Sequence, residues 1–333
     1  MLSLFYRYFD RRCSEKLASL ILSASVHNRQ TCQRCAQYLF TVDIDHMRTG
    51  CFSTLFLTFL YIYQPSLPRR ITIKNLFCIS RLLEVCVDCL ESAKNAFNGG
   101  AARLEVCSSL AEGGLTPSAG LLSAIKTSLP NISVYAMLRC RSGSDFCYSA
   151  DEIEVMLCDL QIFKNLGVNG FVFGALNIDG SIDEDSCKKI ISGAHPLPVT
   201  FHRAFDVCQN PLQSLETIIE LKFERVLTSG QQGSAGSDMA CNLIKEMVSK
   251  AEGRIVIMAG AGVSLQNINR ILDTGADEIH GSLKTKKQLP VLQNRIEMGS
   301  NASSGETINI TDEHLVRSLV TCLTEYHKPS PST

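Results

Sequence analysis

LEVCVD over Leu83–Asp88, a helical segment, and then GGAARLEVCSS over Gly99–Ser109 form the stretch that decides how this chain reads. The triplet Glu-x-Cys occurs twice, as Glu84-Val85-Cys86 and Glu105-Val106-Cys107, each in a short apolar run bounded by polar or glycine residues. Such runs predict buried strands. Side chains alternate faces along a strand, so Glu84, Cys86 and Asp88 share one face, and Leu83, Val85 and Val87 take the other. Glu105 and Cys107 share a face in the same way. A carboxylate is costly to bury without a partner, so the face carrying acids and thiols is expected to line a site. One such Cys alone reads as a small buried hydrophobe. Two Glu-x-Cys strands side by side weigh towards a site.

From Arg81 onward, apolar runs alternate with amphipathic segments. Strands are predicted at Leu82–Val87, Arg103–Cys107, Ser133–Arg139, Gly170–Phe173, Pro198–His202, Arg225–Thr228, Ile255–Ala259 and Glu278–His280. Helices are predicted at Leu90–Phe97, Ser118–Ser128, Ala150–Leu166, Glu184–Ala194, Pro211–Leu221, Ser237–Ala251 and Leu265–Leu272, with one more after His280. Strand then helix, repeated eight times, implies a parallel sheet. The repeat fits an α/β fold, a (β/α)8 TIM-like barrel at the compact end of its range. A doubly wound open sheet usually shows a Gly-rich phosphate turn after its first strand, and Asp88-Cys89-Leu90 is no such turn.

Barrel chemistry sits at the C-terminal ends of the strands. Those ends offer Cys86 and Asp88, Cys107 and Ser108, Arg139 and Arg141, His202, Arg203 and Asp206, Thr228 and Ser229, the Gly260-Ala261-Gly262 turn, and His280. Arg139 and Arg141 suit a carboxylate or phosphate, which Arg grips bidentately. The turn bearing Gly260 and Gly262 leads into a helix expected near Ser264, whose free N–H groups would add to an anion site. If the protein is an enzyme acting on a small anionic substrate, Glu84, Glu105, His202 and His280 are its candidate acids and bases.

The 333 residues are 45% hydrophobic and 20% charged, which describes a globular protein. A formal net charge of −1 gives no electrostatic case for nucleic acid or an anionic membrane. Fifteen scattered cysteines fit a reducing, intracellular setting, where the sequons at Asn131, Asn301 and Asn309 carry no weight. Residues 1–80 read differently from the rest, as an unrelated N-terminal extension of uncertain order. The apolar run Cys51–Tyr63 has thirteen residues, short of the roughly 20 a membrane span needs. Cys32-Gln-Arg-Cys35 lacks the second ligand pair of a zinc site. Thr311-Asp312-Glu313 starts a last helix with Thr311 as cap and Leu315, Leu319 and Leu323 as its apolar stripe.

LEVCVD, GGAARLEVC, GGLTPS, YAMLR, DGSID, TFHRAFD, RVLTSG and the Gly-rich turn before VSLQNINRIL together resemble the CutC copper-homeostasis family, from about Leu82 to the C-terminus. The resemblance implies a TIM-like barrel over residues 81–333, cytoplasmic or partly nuclear, homo-oligomeric, and binding Cu(I) through Cys86 and Cys107. Soft thiolates select Cu(I). The neighbouring Glu84 and Glu105 are hard ligands and should raise the thiol pKa values. Two departures fall near the expected mouth. The family's Arg-Pro-Arg-Gly-Gly-Asp-Phe stands here as Arg139-Cys140-Arg141-Ser142-Gly143-Ser144-Asp145-Phe146, and a Gly-Gly-Gly turn as Gly260-Ala261-Gly262.

Overall fold

The computed structural model describes residues 81–290 and 307–326. The apolar run Cys51–Tyr63, the Cys32/Cys35 pair and the loop at 300–305 lie outside them. Eight strands are hydrogen-bonded in chain order into a closed barrel: β1 (Leu82–Val87), β2 (Arg103–Val106), β3 (Ser133–Met137), β4 (Gly170–Phe173), β5 (Val199–Phe201), β6 (Arg225–Thr228), β7 (Val256–Gly260) and β8 (Glu278–Gly281). Every neighbouring pair tested by register is parallel, including β8 against β1.

Seven helices connect them: α1 (Leu90–Asn98), α2 (Ala119–Ser128), α3 (Ala150–Asn165), α4 (Glu184–Ala194), α5 (Pro211–Glu220), α6 (Asp238–Ala251) and α7 (Ile268–Leu272). After β8, the strands β9 (Lys284–Gln288) and β10 (Thr307–Thr311) pair antiparallel, and α8 (Glu313–Glu325) packs on α1 and β1. Among the described residues no helix is long and apolar enough to cross a membrane.

Local chemistry explains where the elements start and stop. Ser118, Ser149 and Ser237 cap α2, α3 and α6 by accepting the N–H of Leu121, Glu152 and Ala240. β3 ends before Arg139, because the Arg139 N–H goes to the Thr116 hydroxyl at 2.9 Å instead of continuing the ladder. β5 ends at Phe201, because His202 turns to cap the short 3-10 helix Arg203–Val207. The last helix is capped by Asp312, not Thr311: the carboxylate accepts from the N–H groups of His314 and Leu315, while Thr311 stays in β10. Its buried stripe is Val316, Leu319 and Leu323, with Leu315 only half-buried. That stripe follows Gly99, which lets the Val316 side chain approach the end of α1 so closely that a Cβ there would lie 2.5 Å from it.

The two faces of each strand pack differently. Leu83, Val85 and Val87 join the main core between barrel and helices, with Ala93 and Ala96 of α1 and Leu319 of α8. The inward faces carry a smaller apolar cluster of Cys107, Tyr135, Met137 and Val172, the buried Leu227 and Met258, and a set of polar and charged groups. Gly170 makes room for the Tyr135 ring, since a Cβ at Gly170 would stand 2.5 Å from that ring. Gly170→Ala is therefore expected to lower stability by about 2 kcal/mol through overpacking, a shift that urea denaturation would read directly.

Candidate functional site

Register sets which inward side chains meet. Glu84 lies level with Arg103 on one side and His280 on the other, and Cys86 lies level with Glu105. Near the N-terminal ends of the strands these groups form an ionic floor. Arg103 hydrogen-bonds both Glu84 and Glu278. Arg225 pairs with Glu278 at 3.2 Å and with Glu224 at 3.0 Å. The Tyr135 ring lies against both guanidiniums, 4.9 Å from each.

Above this floor, His280 connects the two acids of the repeat. Its Nδ1 is 2.8 Å from Glu84 Oε1 and its Nε2 is 3.4 Å from Glu105 Oε2. One ligand atom each from Cys86, Glu105 and His280 lie within 4.8 Å of one another, and all three residues are buried. The protonation pattern follows from the charges. Burial pushes the Glu84 carboxyl up, but Arg103 and His280 outweigh it and hold it at about 2. Burial also dominates at Glu105; with Glu84 adding to it against His280 and Arg103, the carboxyl rises to about 7. Burial alone would lower the His280 imidazole, yet Glu105, Cys86 and Glu84 around it raise it well above its ordinary value. Glu84 is thus ionised and holds a protonated His280.

Cys107 stands one step nearer the mouth, past the Val87–Val106 pair, with its Sγ 3.6 Å from the Val87 carbonyl oxygen. Burial first, then Glu105, Cys86 and Asp88, push its thiol well up, with Lys284 opposing them. The structure thus groups Cys86 with a carboxylate and an imidazole and sets Cys107 beside that group. The ten described cysteines are all free.

A cavity of about 450 Å³ opens at the mouth, lined by Cys86, Glu105 and His280 and by Arg139, His202 and Arg203, with Lys284 also on its wall. Arg139 is largely committed to the backbone. It donates to the carbonyls of Glu112 (2.7 Å), Gly114 (2.9 Å) and Gly143 (2.6 Å), so it clamps the loops after β2 and β3. Arg141 does not line the cavity; it pairs with Asp145 at 2.8 Å and Glu152 at 2.6 Å. Gly260 lies level with His280, and Gly262 lines the cavity. The expected helix at Ser264 starts only at Ile268, because Asn267 accepts the Ser264 N–H at 2.9 Å and donates to the Gly262 carbonyl at 2.8 Å. His202 is buried, and its Nδ1 accepts the Ala204 N–H at 3.2 Å. Asp206 accepts from Thr228 Oγ1 (2.7 Å), the Ser229 N–H (2.9 Å) and Arg203 Nε (2.7 Å), which ties the loops after β5 and β6 together.

The sequence reading passed over Arg103, Glu278 and Lys284. Arg103 had a local signal, since it sits two residues before Glu105 and so shares its face. Glu278 had the same relation to His280. Lys284 had none, because it follows the last barrel strand and only the path of β9 brings it to the mouth.

The sequence model of the CutC family matches residues 81–285. A mouse protein named "Copper homeostasis protein cutC homolog" is 46% identical over 242 residues, which cover 72% of this chain and 88% of that protein. A CutC family protein of Pasteurella multocida is 43% identical over 247 residues, 73% of this chain and 99% of its own length. Among solved structures, a CutC of Streptococcus agalactiae superposes with a TM-score of 0.57 at 32% identity, covering 61% of this chain and 98% of that one.

Proposed function

The chain belongs to the CutC family, and on that premise we propose that it serves copper homeostasis by holding Cu(I) as cargo at the barrel mouth. Cys86 is the central thiol ligand, His280 stands in the same cluster, and Cys107 at the end of the next strand is the second thiol of the pair. The observation that carries this reading is the meeting of Cys86, Glu105 and His280 within 4.8 Å at the foot of the cavity. The residues fit an ion in three respects. Glu84 binds His280 through Nδ1, which orients the ring and leaves Nε2 for a metal, as outer carboxylates do in metal sites. Glu105 Oε1 is buried with no hydrogen-bond partner. The thiol supplies the soft ligand that Cu(I) favours.

The set of one thiol, one imidazole and one carboxylate also suits Zn2+, so the test must compare metals. In a competition titration of the whole chain, Cu(I) is expected to bind more tightly than Zn2+ or Cu2+. Cys86→Ser should weaken Cu(I) by at least roughly a hundredfold, and Cys107→Ser by about tenfold or more. Cu(I) affinity that survives Cys86→Ser unchanged would sink the proposal. Metal binding would displace the protons its ligands carry, so affinity should rise with pH.

A further inference from the structure

The same cavity has a wall that a metal ion does not use. A single ion needs far less than about 450 Å³, a volume typical of small-molecule sites. On the β3 and β5 side, two buried donors have no partner: Arg139 Nε and His202 Nε2. Their residues are 5% and 3% exposed, and both line the cavity. The His202 tautomer is set by its surroundings, because Nδ1 accepts the Ala204 N–H and so the ring proton stands on Nε2. Burial first, then the Arg139 and Arg203 charges, keep this imidazole neutral, with its pKa down at about 3. A buried donor left unmatched is costly, and two on one wall call for an oxygen acceptor.

One aromatic ring packs against both of these residues. The Phe146 ring lies 5.0 Å from the His202 ring and 5.3 Å from the Arg139 guanidinium, centre to centre. Phe146 is half-buried, lines the cavity, and holds φ at 53°, a left-handed conformation that a bulky side chain rarely adopts. Strain of this kind persists only where its surroundings impose it, and here Arg141 binds the flanking Asp145 side chain and Cys147 carbonyl. At the rim, Arg203 keeps its charge half-exposed beside Asp206, and the Lys284 ammonium has Asp88 at 3.7 Å.

We propose that the cavity binds a small organic anion, a carboxylate or a phosphate, whose oxygens are received by His202 Nε2–H and Arg139 Nε–H once the Phe146 ring swings aside. Arg203 and Lys284 supply the charge that draws the anion in. This site goes beyond the copper reading and does not require the ion. It also differs from the arginine pair of the sequence reading, because His202 takes the place of Arg141.

Calorimetric titration of the metal-free whole chain with malonate, and separately with inorganic phosphate, tests it. One saturable equivalent is expected for at least one of the two, and which one binds identifies the head group. His202→Ala should weaken that binding at least tenfold, and His202→Gln, which keeps a donor, should recover part of it. Phe146→Ala should tighten it. Arg203→Ala should weaken it three- to tenfold. Absence of saturable binding by both anions up to 10 mM, or binding that is indifferent to both His202→Ala and Arg203→Ala, would overturn the proposal. Failure of Cu(I) binding with anion binding intact would instead count against the copper reading alone.

Discussion

Glu84→Ala is expected to destabilise the protein by about 3–5 kcal/mol at pH 7, because it removes one partner of a buried ionic network and leaves the others in place. Glu84 is fully buried and binds Arg103 and His280 at once. Without it, Arg103 keeps Glu278, but His280 loses the carboxylate that orients it and balances its charge. The effect carries a pH signature. The folded carboxyl sits at about 2, below its ordinary 4.5. A group depressed in this way adds stability that is fully present above pH 4.5 and is lost as pH falls through about 2, an amount on the order of 3 kcal/mol. Urea denaturation should therefore show a larger penalty for Glu84→Ala at pH 7 than at pH 3. An equal penalty at both would mean that packing, not charge, holds Glu84 in place.

Glu105→Gln should act in the opposite direction. Here the folded carboxyl is raised to about 7 from 4.5, chiefly by burial. Its contribution is fully present below pH 4.5 and is lost as pH rises through about 7, because the buried group must then ionise. The wild-type chain should lose about 3 kcal/mol on this account between pH 4.5 and pH 8, and the Gln variant should not. Relative to wild type, the variant gains most at pH 8. Parallel stability profiles from pH 5 to pH 8 would reject the assignment. Such a site trades stability for a proton that an incoming cation can displace, which fits a binding role better than a structural one.

Much of this was written into the local sequence. LEVCVD and ARLEVC assign acids and thiols to one face and Leu83, Val85 and Val87 to the other, because the two-residue period of a strand is a local property. The eight-fold alternation of runs was enough for a parallel sheet, since parallel strands need a crossover and buried strands need apolar outer faces, and the count of eight units with no Gly-rich turn after the first strand pointed to the barrel. Serine caps at Ser149 and Ser237 were equally local.

What the tertiary structure alone decided was which inward groups become neighbours. Glu84 meets Arg103 across 19 residues and His280 across 196, and only barrel closure with its register makes those distances short. The same closure groups Cys86 with Glu105 and His280 and leaves Cys107 a step away, a difference that two identical Glu-x-Cys strings could not contain. Arg139 and Arg141 look alike in the sequence, yet one satisfies loop carbonyls at the cavity wall and the other binds acids away from it. A strand's own residues dictate which way each side chain faces; what stands opposite depends on the closed ring, and so does the chemistry of the site.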